Sequence, residues 1–217
     1  MELFSKRLQL YYQLEYTSDF EEFWKYKLRT ETENAHILDD EFRIDTYRMM
    51  CRILPKWKTY RGVKRVKWKE TLKDSLKNMS EAYNKVKSTN LLEFDDVPIE
   101  SLKLIWHELG RIKERNGNRN PNGIYYVVAV TKPLMFLWGQ TLAFDSNVRA
   151  RIPSFFNVSK YKTRWSFEEW RKIMLKFQDA LNKQPEDIAF IRQVSCEKFG
   201  AYFNIPYGQF LDQYFWV

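Results

Sequence analysis

Two residues in the stretch Thr131–Pro153 could do chemistry, because each sits alone among apolar neighbours. Lys132 precedes Pro133, Leu134, Met135, Phe136, Leu137 and Trp138, and Asp145 follows Leu142, Ala143 and Phe144. A lysine amine freed of its proton is a nucleophile, and apolar surroundings weaken its hold on that proton. Thr131 reads as a helix cap with Lys132 and Pro133 in the first turn, where proline is tolerated. The positive end of that helix would lower the Lys132 pKa further. The same lysine can instead snorkel to solvent or contact a phosphate. Asp145 opens the helical pattern Ser146–Ile152, which Pro153 stops. Aspartate is a preferred N-cap, and capping alone explains it. Facing a cleft, its carboxylate would also stabilise a cationic transition state or activate a water.

The second feature is a basic run. Residues 56–69 carry seven lysines and arginines and no acid, interleaved with Trp57, Tyr60 and Trp68. Cations neutralise phosphates and release counterions, and aromatic faces stack on exposed bases. Lys56, Trp57, Lys58, Arg61, Lys64, Arg65 and Lys67 are therefore candidate nucleic-acid contacts, joined by Arg149 and Arg151 from the central stretch. The competing reading is a solvated linker whose aromatics pack inward.

Overall charge points the same way. Thirty-six basic residues against 28 acidic ones leave a net charge of +8, which suits a polyanionic partner. DNA is expected ahead of RNA, and a protein partner stays open. Two cysteines, Cys51 and Cys196, lie far apart, and His36 and His107 are the only histidines. That inventory speaks against a metal centre or a disulfide framework, and no metal or cofactor is expected. No apolar run approaches a membrane span, and the first residues lack a signal-peptide core. The expectation is a cytoplasmic protein with no membrane partner.

These residues must be positioned by helices. Seven glycines and seven prolines in 217 residues are few for a turn-rich β fold, and 44% apolar content can fill a core. Helical stripes recur along the chain. A first segment runs over Leu3–Tyr16. Ser18 and Glu21 form a capping box ahead of Phe20, Phe23, Trp24 and Leu28. Asp39-Asp40 caps a helix that Pro55 ends. Leu72, Leu76, Met79, Tyr83 and Val86 mark the next. Ile99, Leu102, Ile105 and Leu109 follow Pro98. Asn116–Gly123 is the clearest loop. Ile124–Val130 has strand composition but no visible partner, so a short buried helix is expected. Ser166 with Glu169 is a second capping box, and Pro185 opens another helix. Tyr207–Trp216 is too apolar to hang free. The expected fold is all-α and multi-helix: a single domain over 1–217, with a lobe boundary at the loop dividing 1–115 from 124–217.

Phe144–Ile152 resembles the catalytic-aspartate segment of the helix-hairpin-helix DNA glycosylase superfamily, which carries Asp-Thr-(His/Asn)-Val-x-Arg at a helix start. By that resemblance Asp145 stands at the catalytic aspartate, Val148 at the apolar anchor and Arg149 or Arg151 at the basic position. Lys132 would be the lysine of the bifunctional members. The family's Leu-Pro-Gly-(Val/Ile)-Gly hairpin is absent, with Val130–Pro133 in its place, and the lysine-to-aspartate spacing is shorter. The resemblance implies a DNA-binding protein of DNA repair that cleaves the N-glycosidic bond of a flipped base, with lyase activity if Lys132 attacks. The alternative is a non-catalytic nucleic-acid-binding or protein-interaction module on the same helical fold.

Overall fold

The computed structural model describes residues 17–63, 65–114, 117–152, 161–200 and 204–216. The segment Leu3–Tyr16, Lys64, Pro153 and the side chain of Arg65 lie outside the described residues. The fold is all-α, with one two-residue antiparallel pairing among the described residues.

Chain order begins with α1 (Thr17–Thr30), α2 (Arg43–Lys56), α3 (Arg65–Asn78) and α4 (Ser80–Val86). A 3-10 turn at Leu91–Asp96 leads to α5 (Ile99–Arg111). The stripes read from sequence face inward. Phe20, Phe23 and Trp24 of α1, and Leu72, Leu76, Met79, Tyr83 and Val86 of α3–α4, are buried. On α5, Leu102, Ile105 and Leu109 are buried but Ile99 is exposed. Asp39 and Asp40 do not cap α2: its N-cap is Phe42, without a side-chain cap. Asp39 instead accepts from the His36 N–H at 2.7 Å.

Ile124–Val130 divides between two structures. Tyr125–Tyr126 forms β1, which pairs antiparallel with β2 (Arg164–Trp165). From Val127 the chain is already helical, and α6 runs Val127–Trp138. This overturns the expected start at Thr131. Lys132 sits in the middle of α6 and Pro133 inside it, so the helix dipole does not act on the lysine. A proline in a helix interior costs about 3 kcal/mol, which is why Pro133 reads as a start. Burial of nearly every residue of α6 outweighs that cost. Helix α6 ends at Gly139, whose φ of 76° is the left-handed conformation of a C-terminal cap. A Cβ there would lie 2.2 Å from the Trp24 ring.

Then follow α7 (Ser146–Arg151), α8 (Phe167–Asn182), α9 (Pro185–Phe199) and α10 (Tyr207–Trp216). Ser166 and Glu169 form the expected capping box on α8, and Pro185 opens α9. Helix α10 packs on the body, its Gln209 N–H donating to the Gly139 carbonyl at 2.9 Å. One hydrophobic cluster runs from Phe20 to Phe215, across the loop at 117–123. The 3-10 turn before that loop packs on α8 beyond it, where Gln178 donates to the Leu92 carbonyl at 3.0 Å. Among the described residues no helix is long and apolar enough to cross a membrane.

Candidate functional site

Asp145 is fixed by its own helix. Its Oδ1 accepts from the N–H groups of Asn147 (3.0 Å) and Val148 (3.2 Å), satisfying two orphan donors of α7. The expected cap is therefore present. The backbone before it is strained: Phe144 has a φ of 47°, a region costly for any residue with a Cβ. Its ring is fully buried, 5.0 Å from Trp165 and 6.5 Å from Phe177, and that packing holds the conformation. The outcome is a carboxylate whose second oxygen points away from its helix. Oδ2 accepts from Trp216 Nε1 at 3.0 Å and lies 3.5 Å from Lys132 Nζ.

Lys132 reaches that oxygen from α6. Its Nζ also donates to the Trp57 carbonyl at 2.8 Å. The two residues singled out in sequence thus form one ion pair, and both line a cavity of about 520 Å3. That size is ordinary for small-ligand clefts, which span roughly 300–1,000 Å3.

The wall of this cavity is basic. Lys56, Lys58, Arg61, Lys113, Lys132 and Arg149 contribute, against Asp145 as the acid. These cations differ in what holds them. Lys56 pairs with Asp19 at 2.9 Å. Lys113 sits 4.5 Å from the centre of the Tyr126 ring. Arg149 donates to the Lys162 carbonyl at 2.9 Å, and burial lowers its pKa while Asp145 opposes that shift. The side chains of Lys58 and Arg61 are exposed and make no hydrogen bond or ion pair among the described residues.

Other expected contacts lie elsewhere. Arg151 donates to the carbonyls of Phe215 (2.7 Å) and Trp216 (2.9 Å), which ties α7 to the end of α10. It does not line the cavity, and neither does Lys67. Tyr60 and Trp68 are buried against each other, ring centres 5.0 Å apart, so they are core and not stacking platforms. Trp57 does line the cavity, but its ring packs edge-on against Phe136 at 5.1 Å. The inward-packing reading holds for these aromatics, because three apolar rings within one run are worth more in a core than in water.

Sequence reasoning missed Asp212, Trp216, Tyr126, Lys113 and Thr59. Asp212 is fully buried on α10 and accepts from the Ala143 N–H at 2.6 Å, two residues before Asp145. Burial, and next the charge of Asp145, push its carboxyl up to about 8, while the Ala143 N–H and Lys132 pull the other way. It therefore carries its proton at neutral pH. One signal was visible: Asp212 is the only charge in Tyr207–Trp216. Helix α10 thus holds the Ala143–Asp145 segment at two points, through Asp212 and through Trp216.

Among the described residues no three His, Cys, Asp or Glu side chains group to hold a metal. Chemically, the site offers a carboxylate oxygen that can face a developing cation, a primary amine 3.5 Å from it, and positive charge at the mouth. No protein-family model, curated protein or solved structure matches the chain.

Proposed function

We propose that this cleft binds DNA, receives one nucleotide turned out of the strand, and cleaves its N-glycosidic bond. One observation carries the reading. Lys132 and Asp145 come from different elements yet meet on the wall of a basic cavity large enough for a nucleotide. The likeness of Phe144–Ile152 to the glycosylase segment agrees with it.

In this reaction Asp145 stabilises the oxocarbenium-like sugar as the base departs. Lys132 gives a proton to Asp145. Its nitrogen bonds to C1′ as the bond from C1′ to the base breaks, and the base leaves with the electron pair and takes up that proton, which restores the Asp145 carboxylate beside the cationic sugar. Turning a base out costs a few kcal/mol, which a damaged or mismatched pair lessens. The cations at the mouth hold the strand.

A second reading has its own support. Both oxygens of Asp145 have partners, and Lys132 is held by a carbonyl as well as by the carboxylate. Helix α6 is also preceded by β1, where the family has a glycine hairpin. A module that binds the strand without reacting fits those facts.

Base release from duplexes bearing a panel of lesions separates the two. Catalysis is expected to give release with wild type and at least about a hundredfold less with Asp145→Asn, which keeps the cap but not the charge. Binding without release from any duplex would leave the non-catalytic reading.

A further inference from the structure

The turn after α2 has a conformation that its side chains do not favour. The Lys58 N–H donates to the Pro55 carbonyl at 3.0 Å and the Thr59 N–H to the Leu54 carbonyl at 3.2 Å, the paired bonds that close a helix C-terminus. Lys58 occupies the left-handed position of that motif with a φ of 55°. Glycine is the usual occupant, since it has no Cβ to clash. A lysine there carries steric strain that glycine would relieve.

Three further facts concern the same turn. Thr59 lines the cavity, and its hydroxyl is buried without a hydrogen-bond partner among the described residues. Buried hydroxyls seldom stay unpaired, because the loss of water's hydrogen bonds goes uncompensated. Lys58 and Arg61 flank it at the mouth, exposed and without a carboxylate among the described residues. The turn is also joined to the reacting pair, for the Trp57 carbonyl accepts from Lys132.

We infer that Lys58, Thr59 and Arg61 form a subsite for a phosphodiester of the nucleic-acid strand. Two cations and one hydroxyl donor converge on an oxyanion, in the manner of phosphate contacts that set register without reading sequence. The subsite takes over the backbone grip for which this chain has no glycine hairpin. It rests on the nucleic-acid reading of the cleft and deepens it by naming the strand anchor. Because Trp57 links the turn to Lys132, the bound phosphate sets how deeply the neighbouring nucleotide enters.

The test is fluorescence anisotropy of labelled single-stranded and duplex DNA across a salt series. The proteins are wild type, Lys58→Gly with Arg61→Gln, Thr59→Val, and Lys183→Gln as a remote charge control. On duplex DNA the double variant is expected to lower the slope of log affinity against log salt by about 0.9, since the subsite neutralises one phosphate. Thr59→Val is expected to weaken binding several-fold and leave the slope unchanged. Misfolding is excluded independently, because glycine at position 58 keeps or raises the melting temperature. If wild type binds and the double variant matches Lys183→Gln, the subsite falls and the wider reading stands. If wild type binds neither DNA, both fall.

Discussion

Among the described residues two buried lysines, Lys27 and Lys132, are paired with a carboxylate, and the two pairs are built differently. Lys27 on α1 and Glu31, the residue just past its end, lie four positions apart and form a close ion pair. The Tyr83 hydroxyl completes that group: it accepts from Lys27 at 2.8 Å and lies 2.5 Å from Glu31 and 2.7 Å from the Leu137 carbonyl. Burial pushes the Lys27 ammonium down and Glu31 pulls it back up. The cavity beside it is small, about 170 Å3. Lys132 and Asp145 instead come from separate elements, stand 3.5 Å apart, and face a cavity of about 520 Å3 with a cationic mouth. Depressed basicity alone would have pointed to Lys27. What separates the pairs is closure: the first network is filled by the fold's own groups, and the second opens on space that a ligand can enter.

Removing one lysine at a time breaks this comparison most sharply. Lys27→Met strands Glu31 beside Tyr83 and should cost about 3–5 kcal/mol of stability, the scale for one-sided loss of a buried pair. Lys132→Met should cost about 1–2 kcal/mol, because Asp145 keeps its two capping N–H groups and Trp216. Denaturant midpoints at constant slope would show the difference. Equal losses would mean that the two networks are alike.

A smaller effect comes from Asp212, which lies behind the open pair and has no counterpart at Lys27. Its folded carboxyl titrates near 8, above its ordinary value of 3.8. Between those values the folded chain keeps a proton that the unfolded chain has released. The contribution of Asp212 is therefore whole below about pH 4, falls as pH rises to 8, and is flat beyond. Asp212→Asn removes this slope. The variant should gain up to about 3 kcal/mol on wild type between pH 5 and 7, at roughly 1.4 kcal/mol per unit. Melting curves at the two pH values measure it; parallel curves would mean that Asp212 is ionised in the fold.

The smallest effect distinguishes charge from cap at Asp145. Asp145→Ala should lose about 1 kcal/mol with the cap, and Asp145→Asn under about 0.5 kcal/mol, since asparagine caps as well. Comparable thermal losses would show that the carboxylate, through Lys132 and Trp216, does more for stability than the cap.

How far these features could be read from sequence depends on the range of the forces that make them. Asp145 at a helix start, Ser166 with Glu169, and the stripe from Leu72 to Val86 were legible because capping and amphipathic spacing act within a few residues. The position of Lys132 within α6 was not: Val127–Val130 suits strand or helix, and Pro133 imitates a helix start. The pairing of Tyr125–Tyr126 with Arg164–Trp165 joins distant segments and leaves no local mark. Lys27 looked like any lysine on an amphipathic helix, since Tyr83 and Leu137 reach it only in the folded chain. The basic run was legible as charge, but which cations face the cleft was decided by packing: Trp68 turned inward, and Lys58 and Arg61 were left at the mouth.

Borohydride trapping on an abasic-site duplex tests the central claim most directly. The expected result is a covalent adduct with wild type that peptide mapping places on Lys132, and its loss in Lys132→Met while that variant still binds the duplex. An adduct that persists in Lys132→Met, or maps to another lysine, would contradict the assignment of Lys132 as the nucleophile of an open site.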